Sequence, residues 1–176
     1  MIYMVDHVFD DPALEPEWHE WYAGYLKKLL SVPGIDTAQR FKAIGCTPSR
    51  YLAMYSIDSA DVYASDAYKG IGGGGSQSAR FHPAYRLWTR NLFAGAERAP
   101  VVAEGQSVMV LDAPRPHGRG NLVWLHAVGL HMTTKYRAFM VLDKAMPRVP
   151  GGFVYEPFTP PLSASISERT DFKSSS

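Results

Sequence analysis

Apolar and polar positions alternate through residues 1–9, MIYMVDHVF. Ile2, Met4, Asp6 and Val8 fall on one face, and Tyr3, Val5, His7 and Phe9 on the other. This pattern predicts a strand, one in which Asp6 and His7 interrupt an otherwise apolar run. The period then changes. Trp18, Trp21, Tyr22, Tyr25, Leu26, Leu29 and Leu30 recur three and four apart, which gathers them on one wide face of a helix. Pro16 and its acidic neighbours suit the first turn of that helix, Lys27 and Lys28 suit its last, and Pro33 with Gly34 ends it. Alternation resumes over 36–44 and 50–57 across a Cys-Thr-Pro-Ser turn, which predicts a hairpin. Serines at 56–59 then cap a second helix over 60–68.

The run KGIGGGGSQS at 69–78 delays the next element. In 83–94, Tyr85, Trp88, Leu92 and Phe93 can share a face, so this stretch reads as a helix. Further strands are expected at 106–112, 122–128 and 136–142. The order strand, helix, strand, strand, helix predicts an α+β domain, a ferredoxin-like βαββαβ unit with an antiparallel sheet. Its expected extent is residues 1–146, including a glycine-rich loop at 70–78. Residues 147–176, rich in proline and serine, are expected to form an extended C-terminal arm or tail.

Composition narrows the function classes. The 176 residues suffice for one domain with a sizeable core, and a net charge of +1 gives no electrostatic case for nucleic acid or an anionic membrane. No apolar run of about 18 residues and no basic-then-apolar start is present, which predicts neither a membrane span nor a signal peptide. Cys46 is the lone cysteine and suits a reducing cytosol, so a cytoplasmic protein is expected.

The start at Met1, EWHEWY at 17–22, LLSVPG at 29–34, AQRF at 38–41, RYLAMY at 50–55 and, more weakly, WTRNLF at 88–93 together resemble the dimeric α+β barrel superfamily. The resemblance covers about residues 1–112. It implies two ferredoxin-like protomers whose sheets combine in a barrel, a homodimer, and a pocket between sheet and helices. Related groups include muconolactone isomerases, EthD-like proteins, cofactor-free quinone-forming monooxygenases and haem-degrading monooxygenases. The overall pattern also looks similar to bacterial γ-formaldehyde lyases that act on lignin-derived aromatic dimers. Many EthD-like members carry a histidine one turn after the Trp-Tyr pair, where this chain has Tyr25.

The chemistry candidates follow. The glycine run lacks the Gly-Lys-Ser/Thr end of a phosphate loop and the spacing of a dinucleotide fingerprint, so it reads as a hinge, a lid or an inert connection. The six histidines show no ligand spacing; His126 and His131, five apart, sit in no metal motif, and no metal or cofactor is expected. His7 on its strand and His82 beside the glycine run are proton-transfer candidates, with Tyr25 and Arg40 as partners that donate or stabilise charge. The plainer alternative for each histidine is a structural hydrogen bond. For Arg40 it is an edge position or an ion pair to Asp6 or Asp36. An aromatic slot is expected from Trp21, Tyr22, Phe41, Tyr51, Tyr55 and Trp88, with Gln39 and Asn91 as polar contacts; core packing is the competing use of the same rings.

These residues and the resemblance together lead to an expected activity on a small hydroxylated aromatic substrate. It is a cofactor-independent carbon–carbon lyase, releasing formaldehyde from a lignin-derived diaryl compound and leaving a stilbene. A cofactor-free monooxygenase or isomerase is the first alternative, and a non-catalytic dimeric ligand-binding protein the second.

Overall fold

The structure is a computed structural model and describes residues 1–117, 121–143 and 150–164. In chain order the elements are β1 (Ile2–Phe9), α1 (Glu15–Leu30), β2 (Ile35–Ala43), β3 (Tyr51–Ile57), a 3-10 turn (Ala60–Ala64) and α2 (Asp66–Gly70). A kinked 3-10 segment (Gly73–Ala84) follows, then β4 (Tyr85–Ala94), β5 (Ser107–Ala113), β6 (Val123–Leu130), β7 (Tyr136–Leu142), β8 (Phe153–Pro157) and the short β9 (Leu162–Ser163).

All strand pairs are antiparallel. Around the sheet the order is β3-β1-β4-β6-β7-β5-β8-β2, and β2 returns to pair with β3, closing an eight-stranded barrel; β9 adds to the free end of β2. The expected ferredoxin-like βαββαβ unit is therefore corrected to a closed antiparallel β-barrel with two helices. Residues 85–94, expected as a helix, form the strand that pairs with β1 from Ile2↔Phe93 to Phe9↔Tyr85. The second expected helix shrinks to the 3-10 turn and the five-residue α2.

Closure also bears on the expected homodimer. The edges that an open four-stranded sheet would have left free are used within the chain: β4 pairs with β6, and β2 with β8. β8 comes from the region expected as a C-terminal arm; residues 165–176 of that arm lie outside the described residues. The second four strands repeat the relative order of the first four, 6-7-5-8 against 2-3-1-4, with no helix between them. All helical cover therefore lies over one half of the barrel.

Alternation along the strands produces two cores. Ile2, Met4, Phe41, Leu52, Met54, Phe93, Val108, Val110, Leu125 and Phe139 fill the lumen, as side chains do in small barrels. Tyr3, Val5, Phe9, Tyr51, Ala53 and Tyr55 point outward and meet Trp18, Tyr22, Leu26 and Leu29 of α1. The inward set includes a polar knot. Asp6 accepts bonds from Arg137 (2.9 Å), Ser49 (3.1 Å) and Thr89 (3.4 Å), and Arg137 also grips Asp112 at 2.7 and 2.8 Å.

Candidate functional site

The outer face of β1, β3 and β4, roofed by α1 and the Gly73–Ala84 segment, encloses an aromatic cavity of about 40 Å³. Strand period puts Tyr3, Val5 and His7 on this face, and Tyr55 from β3 lies beside them. From α1 come Trp21, Tyr22, Tyr25 and Leu29; from α2, Tyr68; from the kinked segment, Gly75, Gln77 and Ser78; from β4, Tyr85, Trp88 and Arg90. The space holds only a few water molecules. Trp21, Tyr25 and Gln77 form the wall between it and an open groove of about 450 Å³ lined also by Glu17, Glu20, Lys28 and Arg80. A larger trough of about 670 Å³ lies elsewhere, around Glu104, Gln106, Asp143 and Pro157. It has no histidine, arginine, tyrosine or tryptophan in its wall and offers no comparable chemistry.

His7 is the titratable centre of the cavity. It is 3% exposed, and its ring sits 5.4 Å from Trp18, 5.5 Å from Tyr22 and 5.6 Å from Tyr85. Its nitrogens form no hydrogen bond with a described residue and are not sealed off by protein atoms. Burial, and then the Arg40 charge, push it down to about 3, so the imidazole is neutral throughout the physiological range. Around it, burial raises the phenols of Tyr3, Tyr22, Tyr25, Tyr55 and Tyr85, which remain protonated donors. Three of these are already engaged, Tyr22 and Tyr55 with each other at 2.9 Å and Tyr85 accepting from Trp18 Nε1 at 2.8 Å.

Arg40 stands behind this wall rather than in it. Its guanidinium lies 4.0 Å from the Tyr22 ring centre, 4.7 Å from Trp18 and 5.3 Å from Phe158, a cation caged by rings. The bond to His19 Nδ1 (3.1 Å) fixes a tautomer, since a guanidinium can only donate. His19 Nε2–H then faces the Tyr51 hydroxyl at 3.2 Å, and Tyr51 donates to Glu15 at 2.6 Å. Burial and Arg40 hold His19 down at about 4, while burial and the bond to Glu15 push Tyr51 up to about 12. Neutral bridges thus link the buried cation to a carboxylate. The expected pairings of Arg40 with Asp6 or Asp36 do not form: Asp6 meets Arg137, and Asp36 meets Arg98.

Of the sequence candidates, His7, Trp21, Tyr22, Tyr25, Tyr55 and Trp88 converge on the cavity. His82 is at its rim, bonded to Ser78 (2.9 Å) and tilted against Trp88 at 5.2 Å. Tyr51 belongs to the Arg40 relay. Gln39, Phe41 and Asn91 are turned to the lumen side, where Gln39 bonds the Val102 backbone and Asn91 bonds Thr133. Tyr3, Tyr68 and Tyr85 are not among the sequence candidates, and Arg90 reads from sequence only as part of a mixed cluster with Trp88 and Asn91 that could equally brace a helix. Once residues 85–94 are read as a strand, Trp88 and Arg90 fall on the same face. No three His, Cys, Asp or Glu side chains among the described residues are grouped to hold a metal, and no described helix is long and apolar enough to cross a membrane.

No family model matches the sequence, and no curated protein matches it. Among solved structures the chain is similar to an anthrone oxidase-like protein, with a TM-score of 0.58 over 93% of this chain and 92% of that one, at 10% sequence identity. At that identity the likeness speaks to the fold, a barrel type. It gives no support to the expected γ-formaldehyde lyase relationship.

Proposed function

We propose that the chain is a cofactor-independent enzyme acting on a hydroxylated aromatic compound, with His7 as the proton acceptor. The observation that carries this reading is the state of His7: a neutral imidazole with no hydrogen-bond partner among the described residues, set in a wall of aromatic rings. In such surroundings an isolated imidazolium is costly. A proton taken from a bound phenol or activated ring carbon leaves an anion beside it, and the pair offsets that cost. The rings supply stacking surfaces, and the raised phenols supply donors to the developing oxyanion.

The name of the structural neighbour favours an oxygen-dependent reaction. For an anthrone, removal of a methylene proton leaves an electron pair delocalised over the ring system. Dioxygen accepts the electrons, one of its oxygens becomes the new carbonyl and the other leaves as water. The ring ketone becomes a quinone.

The test measures oxygen uptake and formaldehyde release with 1,8-dihydroxyanthrone and with a lignin-derived diaryl diol, above the uncatalysed background. Oxygen uptake with the anthrone is expected, reduced about 100-fold or more in His7→Phe with an unchanged circular dichroism spectrum. Formaldehyde release without oxygen would assign the lyase reaction instead. Full turnover in His7→Phe would remove His7 as the base, and binding with no turnover would leave a ligand-binding protein.

A further inference from the structure

The wall of the aromatic cavity contains a half-buried cation, Arg90, that has no carboxylate partner among the described residues. Arg90 projects from β4 onto the outer sheet face, where its guanidinium lies 4.8 Å from the Trp88 ring centre. It forms no ion pair and no side-chain hydrogen bond with any described residue, and its Nε is fully buried without a partner. Among the described residues, the other fully enclosed side-chain polar atom without a partner is the Tyr63 hydroxyl, whose ring packs edge-on at 5.0 Å against both Tyr3 and Tyr68, two residues of the same wall. A buried donor normally finds an acceptor, because leaving it unpaired forfeits its hydration with no return. An acceptor inside the cavity gives Arg90 Nε the partner it lacks.

Register puts the side chain that bears this cation next to His7. Val5 faces Arg90 and His7 faces Trp88 across β1 and β4, so His7 and Arg90 are diagonal neighbours on one face. The Cα atoms of such neighbours are about 7–8 Å apart, so both side chains can reach one ligand. A small fused-ring system fits between them once Trp21, Tyr25 and Gln77 move aside, because the closed cavity of about 40 Å³ is too small for it.

Resting on the reading of the cavity as an aromatic site, we infer that Arg90 is the counter-ion of the ligand, which is a planar aromatic anion. Its carboxylate, enolate or phenolate oxygen meets the guanidinium and its reacting position faces His7. Trp88 holds the guanidinium plane by stacking, and the anion accepts from Nε–H and an adjacent Nη–H in the paired geometry that arginine favours. Entry is from the outer groove, by displacement of Trp21, Tyr25 and Gln77, which the cavity and the groove share.

The probes are 2-naphthoate and its neutral counterpart of nearly equal shape, 2-naphthamide, with binding followed by calorimetry and tryptophan quenching at pH 7. Wild-type protein is expected to bind the carboxylate at least tenfold more tightly than the amide. Arg90→Met and the more polar Arg90→Gln should lose that preference, with the carboxylate Kd rising by more than the amide Kd. Using both variants guards against misfolding of either, and circular dichroism identifies the folded one. Equal binding of the two probes by wild type, or a preference that survives in a folded Arg90 variant, overturns the assignment of Arg90 and leaves the aromatic site standing. Binding of neither probe overturns the aromatic site itself, and the Arg90 assignment with it.

Discussion

At the scale of single residues, the site is shaped by what burial does to charge. His7 and His19 are both held neutral, one at about 3 and the other at about 4, chiefly by burial and then by the Arg40 guanidinium. An unfolded histidine takes up its proton near pH 6.5. Because the folded values lie below the unfolded one, the unfolded chain binds more protons as pH falls. Stability is then complete above about pH 6.5 and declines steadily toward pH 3 to 4. Urea unfolding midpoints measured from pH 7.5 to 4.5 should show this decline, and His7→Phe should flatten it, with the difference growing as pH drops. A variant whose midpoint falls in parallel with wild type would show that His7 does not titrate in this way. The same depression means that an activity carried by His7 has no acid limb near pH 6.5. Sequence had singled out His7 and Arg40 as costly interruptions of apolar strands. Which face each occupies was legible from alternation; the ring cage around Arg40 and its relay to Glu15 were not, because they join residues from α1, β2 and β3.

At the scale of elements, the Gly73–Ala84 segment closes the cavity, and its geometry depends on glycine. Gly75 has φ +102, a region in which other residues are strained, and a Cβ there would lie 2.6 Å from the Trp88 ring. Gly75→Ala is expected to cost about 1–3 kcal/mol through backbone strain. It should also push Trp88 off its stack with Arg90, so a lower melting temperature should come with altered tryptophan emission. Unchanged emission would mean that the segment yields instead of Trp88. From composition the glycine run reads as a hinge, a lid or an inert connection, and composition does not choose among them. β4 was misread because Tyr85, Trp88, Leu92 and Phe93 also fit helical spacing. What decided otherwise was the partner: β1 is buried on both faces and β4 fills the pairing edge opposite β3. Short apolar runs are ambiguous in period, and tertiary pairing resolves them.

For the whole molecule, the polar knot in the lumen joins what closure brings together. Arg137 of β7 reaches Asp6 of β1 and Asp112 of β5, while Asp6 also accepts from Ser49, itself 2.9 Å from Tyr155 of β8. Arg137 is 5% exposed, so its removal leaves Asp6 as a buried charge without its cation. Breaking such a pair costs about 3–5 kcal/mol. Arg137→Met should therefore lower the unfolding free energy by about that amount, and adding Asp6→Leu should restore much of it. A double variant no more stable than the single one would show that the knot contributes more than mutual neutralisation. From sequence, Asp6 and Arg137 lie 131 positions apart, and no local pattern connects them.

By itself the sequence determined local periods. These comprised the strands β1, β2, β3, β5, β6 and β7 to within a few residues, the aromatic helix α1 with its Pro-Gly stop, and the alternation that sets Tyr3 with His7 on one face of β1 and Tyr51 with Tyr55 on one face of β3. Those features depend on backbone geometry and on neighbours two to four residues away. The tertiary structure decided that the sheet closes on itself, that residues 85–94 and 153–157 are barrel strands, and that Arg90 shares the cavity wall with His7 while Arg40 lies behind the rings. Each of these depends on pairing between distant segments and on which buried charges find partners, terms set by the assembled barrel and absent from any short window of the chain.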